Sequence, residues 1–152
     1  MLGRNVEKQI ESKSFESLFK PIKDITGNNP LIANLESPLT QSTANSLEEN
    51  NSPKFKGKPH LAKELLKNNF VAMSIANNHI FDYGLEGFLD TKKTLNNNNI
   101  KTFGAGKNLT NSLAPAKLSI NNTNILLYGA SYRPLADNKK AGVNNAYSNF
   151  LL

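Results

Sequence analysis

Two kinds of apolar pattern alternate along the chain, a helical period and short continuous runs, and their order predicts an α/β architecture. In residues 4–19, Val6, Ile10, Phe15, Leu18 and Phe19 lie on one helical stripe, with Glu7, Lys8, Glu11, Lys13 and Glu16 outside it. One amphipathic helix is expected there, ended by Pro21. A turn over 26–30 then leads into a short apolar strand at 31–33, which delivers Asn34, Leu35 and Glu36 at its end. Residues 41–53 are polar and read as an exposed loop of roughly a dozen residues, longer than most connections. Pro59 suits a first helical turn, and Leu61, Ala62, Leu65 and Leu66 supply the buried face of a helix ending near Asn68, with His60 at the surface.

The most informative stretch is 70–98. Residues 70–75 form a continuous apolar run, read as a buried strand, which stops at Asn77, Asn78 and His79. Asp82 follows three residues later, close enough to orient the imidazole or shift its pKa. Gly84 permits a turn, and Leu85, Phe88, Leu89 and Leu95 mark the apolar face of a helix reaching about Asn98. Beyond it, 100–103 predicts a strand, 104–106 a glycine turn, and 116–120 with 124–130 a β-hairpin around Asn121, Asn122 and Thr123. Residues 136–152 show little periodicity.

Strand ends are where α/β folds place chemistry, so Glu36 and the run Asn77, Asn78 and His79, with Asp82 behind it, are the candidate site residues. Each has a plainer reading. The two asparagines can close an Asx turn tied by a His79–Asp82 hydrogen bond, and Glu36 can cap a loop as readily as face a cavity.

Composition narrows the options. The chain has 152 residues, enough for one domain with a sizeable core, and no cysteine, which excludes disulfides and thiolate metal sites. Its 18 Lys and Arg outnumber 12 Asp and Glu, for a net charge of +6, but they are scattered. No basic stripe with interleaved aromatics is present, so nucleic acid is not an expected partner, whereas attraction to an anionic surface or polymer is. No window approaches 18 apolar residues, and no charged segment followed by an apolar core opens the chain. Neither a transmembrane helix nor a signal peptide is therefore expected in the given chain, and a cytoplasmic or membrane-associated location is.

Residues 75–79 (Ile-Ala-Asn-Asn-His), 82–84 (Asp-Tyr-Gly), 87–91 (Gly-Phe-Leu-Asp-Thr), Leu95 and 104–106 (Gly-Ala-Gly) resemble, in order and spacing, the core of the bacterial capsule-biosynthesis, or poly-γ-glutamate biosynthesis, CapA family. Residues 34–40 resemble a second motif of that family, 54–56 its short aromatic-basic segment, and 1–4 the end of its opening Gly-Asp-apolar-Met-Leu-Gly-Arg motif. The resemblance implies a calcineurin-like metallophosphoesterase fold, α/β with mixed β-sheet layers flanked by helices, of which this chain carries one incomplete domain over residues 1–152. It implies divalent metal ions (Mn, Fe or Zn) in the complete family domain, with Glu36 and Asn78 at ligand positions, Asn34 supporting Glu36, and His79 and Asp82 in catalytic roles.

The family's initial Asp would precede Met1, and its later histidine motifs would follow Leu152. Two ligand-type residues cannot fix a two-metal centre, so the expectation is a partial or inactive fragment with weak or absent metal binding. The implied function is capsule or poly-γ-glutamate biosynthesis through phosphate-ester chemistry; the alternative is a non-catalytic interaction or assembly subunit for polymer synthesis or export. Implied partners are other components of that synthesis, an anionic polymer or phosphate ester, and a second copy through sheet left uncovered.

Overall fold

A computed structural model describes residues 2–44, 46, 53–132, 136, 137 and 139–144. Three parallel strands form its centre, in the order β1 (Leu31–Asn34), β2 (Phe70–Ser74) and β3 (Lys101–Phe103). Parallel neighbours need a crossover. Helix α3 (Leu61–Lys67) lies within the connection from β1 to β2, and α4 (Gly84–Asn97) forms the one from β2 to β3. The continuous apolar run of 70–75 suits the middle position, where both faces are covered.

Alternation along β2 assigns its faces. Met73 packs with Leu61, Leu65, Leu95, Ile100 and Phe15, the helical side, while Ala72 packs with Phe103 and Ala116 on the other. That second face is covered by the hairpin of β5 (Ala116–Ile120) and β6 (Thr123–Leu127). Asn121 and Asn122 make its two-residue turn with φ of 50° and 61°, the left-handed pair such a hairpin requires and that asparagine tolerates. A third cluster joins Ile75, Ile80, Phe81 and Phe88 to Ala105 and Val143. The structure thus bears out the mixed α/β class, as a partial domain of parallel sheet, flanking helices and an antiparallel hairpin.

Four local expectations are corrected. The single helix over 4–19 is two, α1 (Asn5–Lys13) and α2 (Phe15–Thr26), broken at Ser14. Ser14 has φ 81°, its N–H closes α1 on Ile10, and its Oγ accepts the Ser17 N–H as cap of α2. Pro21 lies inside α2 rather than ending it. Phe19 stacks on Phe15 at 4.5 Å and meets Phe70 edge-on at 5.3 Å, so packing holds together a helix that local propensity would interrupt at a cost of about 3 kcal/mol.

Residues 104–106 are not simply a turn. Gly104 turns the chain at φ 91°, but β4 (Ala105–Gly106) pairs antiparallel with β7 (Gly142–Val143), a segment whose sequence shows no period. A side chain on Gly106 would strike the backbone of α5 (Leu109–Leu113), so this glycine serves a close approach. Finally, the loop expected over 41–53 is exposed at Gln41 and Thr43 but anchored at Ser42. Ser42 is buried and its Oγ donates to Glu86 (2.8 Å) of α4, next to buried Thr40, whose Oγ1 donates to Asp90 (2.6 Å). Residues 45 and 47–52 of that expected loop lie outside the described residues.

Candidate functional site

Because β1 and β2 are parallel and in register from Asn34 to Ser74, the chain leaves both on the same edge of the sheet. The Leu35 N–H bonds to the Ser74 carbonyl at 2.9 Å and the Ile75 N–H to the Phe103 carbonyl at 2.9 Å, carrying both ladders one step past the strands. Glu36 is therefore delivered beside the loop that bears Asn77, Asn78 and His79.

The residue that joins the two loops is Asn77, which is 5% exposed. Its Nδ2 donates to Asn34 Oδ1 (3.1 Å) and to the Leu35 carbonyl (3.0 Å), while its Oδ1 accepts the His79 N–H (3.1 Å). The last bond is an Asx turn, so the plainer reading of this tripeptide is present in the structure. It is the device that aims His79, and it leaves the next two side chains free for other work.

His79 and Asp82 are both largely buried. Asp82 Oδ2 accepts the Phe55 N–H at 2.7 Å and lies 3.0 Å from His79 Nδ1. An oxygen already serving as acceptor fixes the imidazole as its Nδ1–H tautomer. His79 Nε2 then accepts from Asn78 Nδ2 at 3.1 Å, which turns the Asn78 carboxamide oxygen away from the ring. The Phe55 ring packs edge-on against the imidazole at 4.5 Å, and the Arg4 guanidinium lies 5.4 Å from the Phe55 centroid. Burial pushes the Asp82 carboxyl above its ordinary pKa, against the opposing pull of the Phe55 amide and of His79.

This arrangement can hold a proton at Nδ1, accept one at Nε2, and present an amide oxygen from the exposed Asn78. To donate from Nε2, His79 must first exchange its Asn78 contact. Glu36 is half-buried and its carboxylate has no hydrogen bond or ion pair among the described residues. Its loop is held without it: Ser37 Oγ accepts the Leu2 N–H at 3.0 Å and the Leu39 N–H bonds to Thr91 Oγ1 at 2.9 Å. Glu36 is thus no loop cap.

No group of three or more His, Cys, Asp or Glu residues that could hold an ion occurs among the described residues. A carboxylate and a carboxamide leave most of a divalent ion's coordination to water or to other donors.

Sequence reasoning does not single out Phe55 and Arg4 as members of the site, and it brings in Asn77 only as part of the polar run that ends at His79. Phe55 had a signal, its place in the aromatic-basic segment 54–56; the linking role of Asn77 had none beyond the Asx turn. His60 is exposed, as expected. No helix of the described residues is long and apolar enough to cross a membrane.

Comparison with known proteins places this geometry in context. Over 125 residues the chain is 32% identical to the PGA biosynthesis protein CapA of Bacillus subtilis (strain 168), covering 82% of this chain and 32% of that protein. Over 110 residues it is 26% identical to the capsule biosynthesis protein CapA of Bacillus anthracis, covering 71% of this chain and 27% of that one. The chain therefore spans about a third of the length of these relatives. The profile described as "Bacterial capsule synthesis protein PGA_cap" matches residues 1–150, and by that match the chain belongs to the bacterial capsule synthesis family PGA_cap.

Proposed function

We propose that the edge bearing Glu36, Asn78 and His79 is part of a metallophosphoesterase-type centre acting on a phosphate ester in capsule or poly-γ-glutamate biosynthesis. The observation that carries this reading is the connected series Asp82, His79, Asn78 at the end of β2, beside the loop that presents Glu36. A buried acid orients an imidazole, the imidazole orients a carboxamide, and the carboxamide oxygen is left exposed on a loop that neighbours the one carrying Glu36. Groups held from behind in this way are how ligand-bearing side chains are oriented. In this reading Glu36 and Asn78 are ligand-type residues for Mn, Fe or Zn, His79 manages a proton or the leaving oxygen, and Asp82 positions His79.

The described donors alone do not satisfy such an ion, so weak or absent metal retention by this chain is expected, and a complete centre would need further ligands of the kind that the family's opening Gly-Asp and later histidine motifs supply. The same shortage of donors favours a second reading, a non-catalytic interaction or assembly subunit in polymer synthesis or export.

A lengthened chain restoring those motifs separates the two. On it, His79→Ala should lower turnover of a model phosphodiester by about 10² or more with metal content unchanged. Asn78→Ala should lose metal and activity together. A lengthened chain without phosphoesterase activity supports the assembly role instead.

A further inference from the structure

We propose that the groove between the second half of α4, the start of β3 and the α5–β5 connection is a binding site for a compact, multiply charged phosphate, a small ligand carrying three or more negative charges. The groove encloses about 810 Å³, within the range of small-molecule pockets. Lys92 and Lys93 come from α4, Lys101 from β3, Lys107 from the approach to α5 and Lys117 from β5, and no Asp or Glu lines it. It contains none of the residues of the site at the ends of β1 and β2.

Many surface lysines of the described residues lack an ion pair, but here five of them line one concavity with no carboxylate among its lining residues. Lys20, Lys58 and Lys67 pair with Asp24, with Glu7 and Glu11, and with Glu64, whereas none of the five groove lysines enters an ion pair among the described residues. The acids of α4 that could have served them bond elsewhere: Glu86 to Ser42 and Asp90 to Thr40. Helix α4 thus carries acids committed to the 40–42 segment and lysines directed to the groove. Lys92 is only partly exposed, its ammonium 5.6 Å from the Phe88 ring centroid, and burial together with the charge of Lys107 pushes its pKa down. Partial burial of one ammonium near another is a cost that a bound anion removes.

The shape selects the ligand. Lysine ammonium groups are point charges with three donors each, suited to phosphate oxygens arriving from several directions. Here they surround one concavity floored by Ile100 and Ala116, instead of forming the continuous track that a charged polymer follows.

Titration calorimetry of the full chain with sodium tripolyphosphate, at low and at physiological ionic strength, tests this. One site is expected, weaker at the higher salt. Lys92→Gln, Lys107→Gln and Lys117→Gln should each weaken it about five- to tenfold, the scale of one charge contact, while Lys8→Gln and Lys13→Gln stay within about twofold. Lys107 and Lys117 are exposed, so their variants report on the groove even if Lys92→Gln folds poorly. Absence of binding, equal losses in the two α1 variants, or tighter binding of polyglutamate than of tripolyphosphate at matched charge would overturn the proposal. His79→Ala should leave the binding unchanged, so this inference and the proposed phosphoesterase site stand or fall separately.

Discussion

Replacing Asn77 by alanine tests the idea that one buried carboxamide holds the candidate site together. The substitution removes three hydrogen bonds, to Asn34 Oδ1, the Leu35 carbonyl and the His79 N–H. Two of these partners are backbone groups, and Leu35 is 3% exposed, so its carbonyl loses this donor with little access to water. At about 1 kcal/mol net for each of two bonds, and about 1–3 kcal/mol for the stranded Leu35 carbonyl, the loss comes to about 3–5 kcal/mol. For a chain of this length that lowers the melting temperature by roughly 6–20 °C. Asn77→Asp keeps the acceptor for His79 but faces a carboxylate oxygen toward Asn34 Oδ1 and the Leu35 carbonyl, so it should be at least as damaging. Asn78→Ala, which removes one exposed contact at 3.1 Å, should stay within about 1 kcal/mol. Urea unfolding followed by far-ultraviolet circular dichroism measures all three, with an unchanged m-value required for comparison. If Asn77→Ala costs under about 1 kcal/mol, or no more than Asn78→Ala, the two loops are held by something else and the argument fails.

Two further outcomes follow from the same structure. A carboxyl whose pKa is raised on folding binds its proton more tightly in the folded state, so the contribution of Asp82 to stability declines as pH rises from its ordinary value of 3.8 through the raised one; relative to Asp82→Asn, the unfolding free energy should fall as pH rises through that window, and a rise would mean that His79 and the Phe55 amide outweigh burial. Gly104→Ala should cost about 2–4 kcal/mol, since φ is 91° and the new carbon would lie 2.6 Å from Ala76 Cβ and 2.9 Å from Gly129 Cα; unaltered urea unfolding would refute this account of how the chain turns from β3 into β4.

What could be read in advance was what a local period encodes. The run of 70–75, the stripe of Leu85, Phe88, Leu89 and Leu95, and the asparagines at 121 and 122 each fix their own element, although the hairpin turn is two residues and not three, and its second strand is Thr123–Leu127 and not 124–130. What could not be read was set by partners distant in sequence. Pro21 sits in a helix because Phe15 and Phe19 pack on each other and on Phe70, and the glycines of 104–106 serve a strand whose partner is Gly142–Val143. The site divides the same way. The His79–Asp82 bond spans three residues and was legible as a spacing, whereas the Phe55 amide that completes it lies 27 positions from Asp82 and Asn34 lies 43 from Asn77.

The two carboxylates at this edge have opposite surroundings, and the contrast bears on what each does. Asp82 is buried and served by both an amide and an imidazole, a state that fixes an orientation and leaves nothing over for a ligand. Glu36 rides on a loop as firmly held as a strand, with Leu35, Ser37, Leu39 and Thr40 all buried around it, yet its own carboxylate bonds to nothing among the described residues. The backbone of this loop is satisfied without the carboxylate, by Ser74, Thr91 and Gly57. The exposed carboxamide oxygen of Asn78 is turned outward by the imidazole behind it. An anchored loop, an acid with no hydrogen bond among the described residues and an outward amide oxygen at one edge of the sheet are the features on which the proposed ligand-bearing site rests.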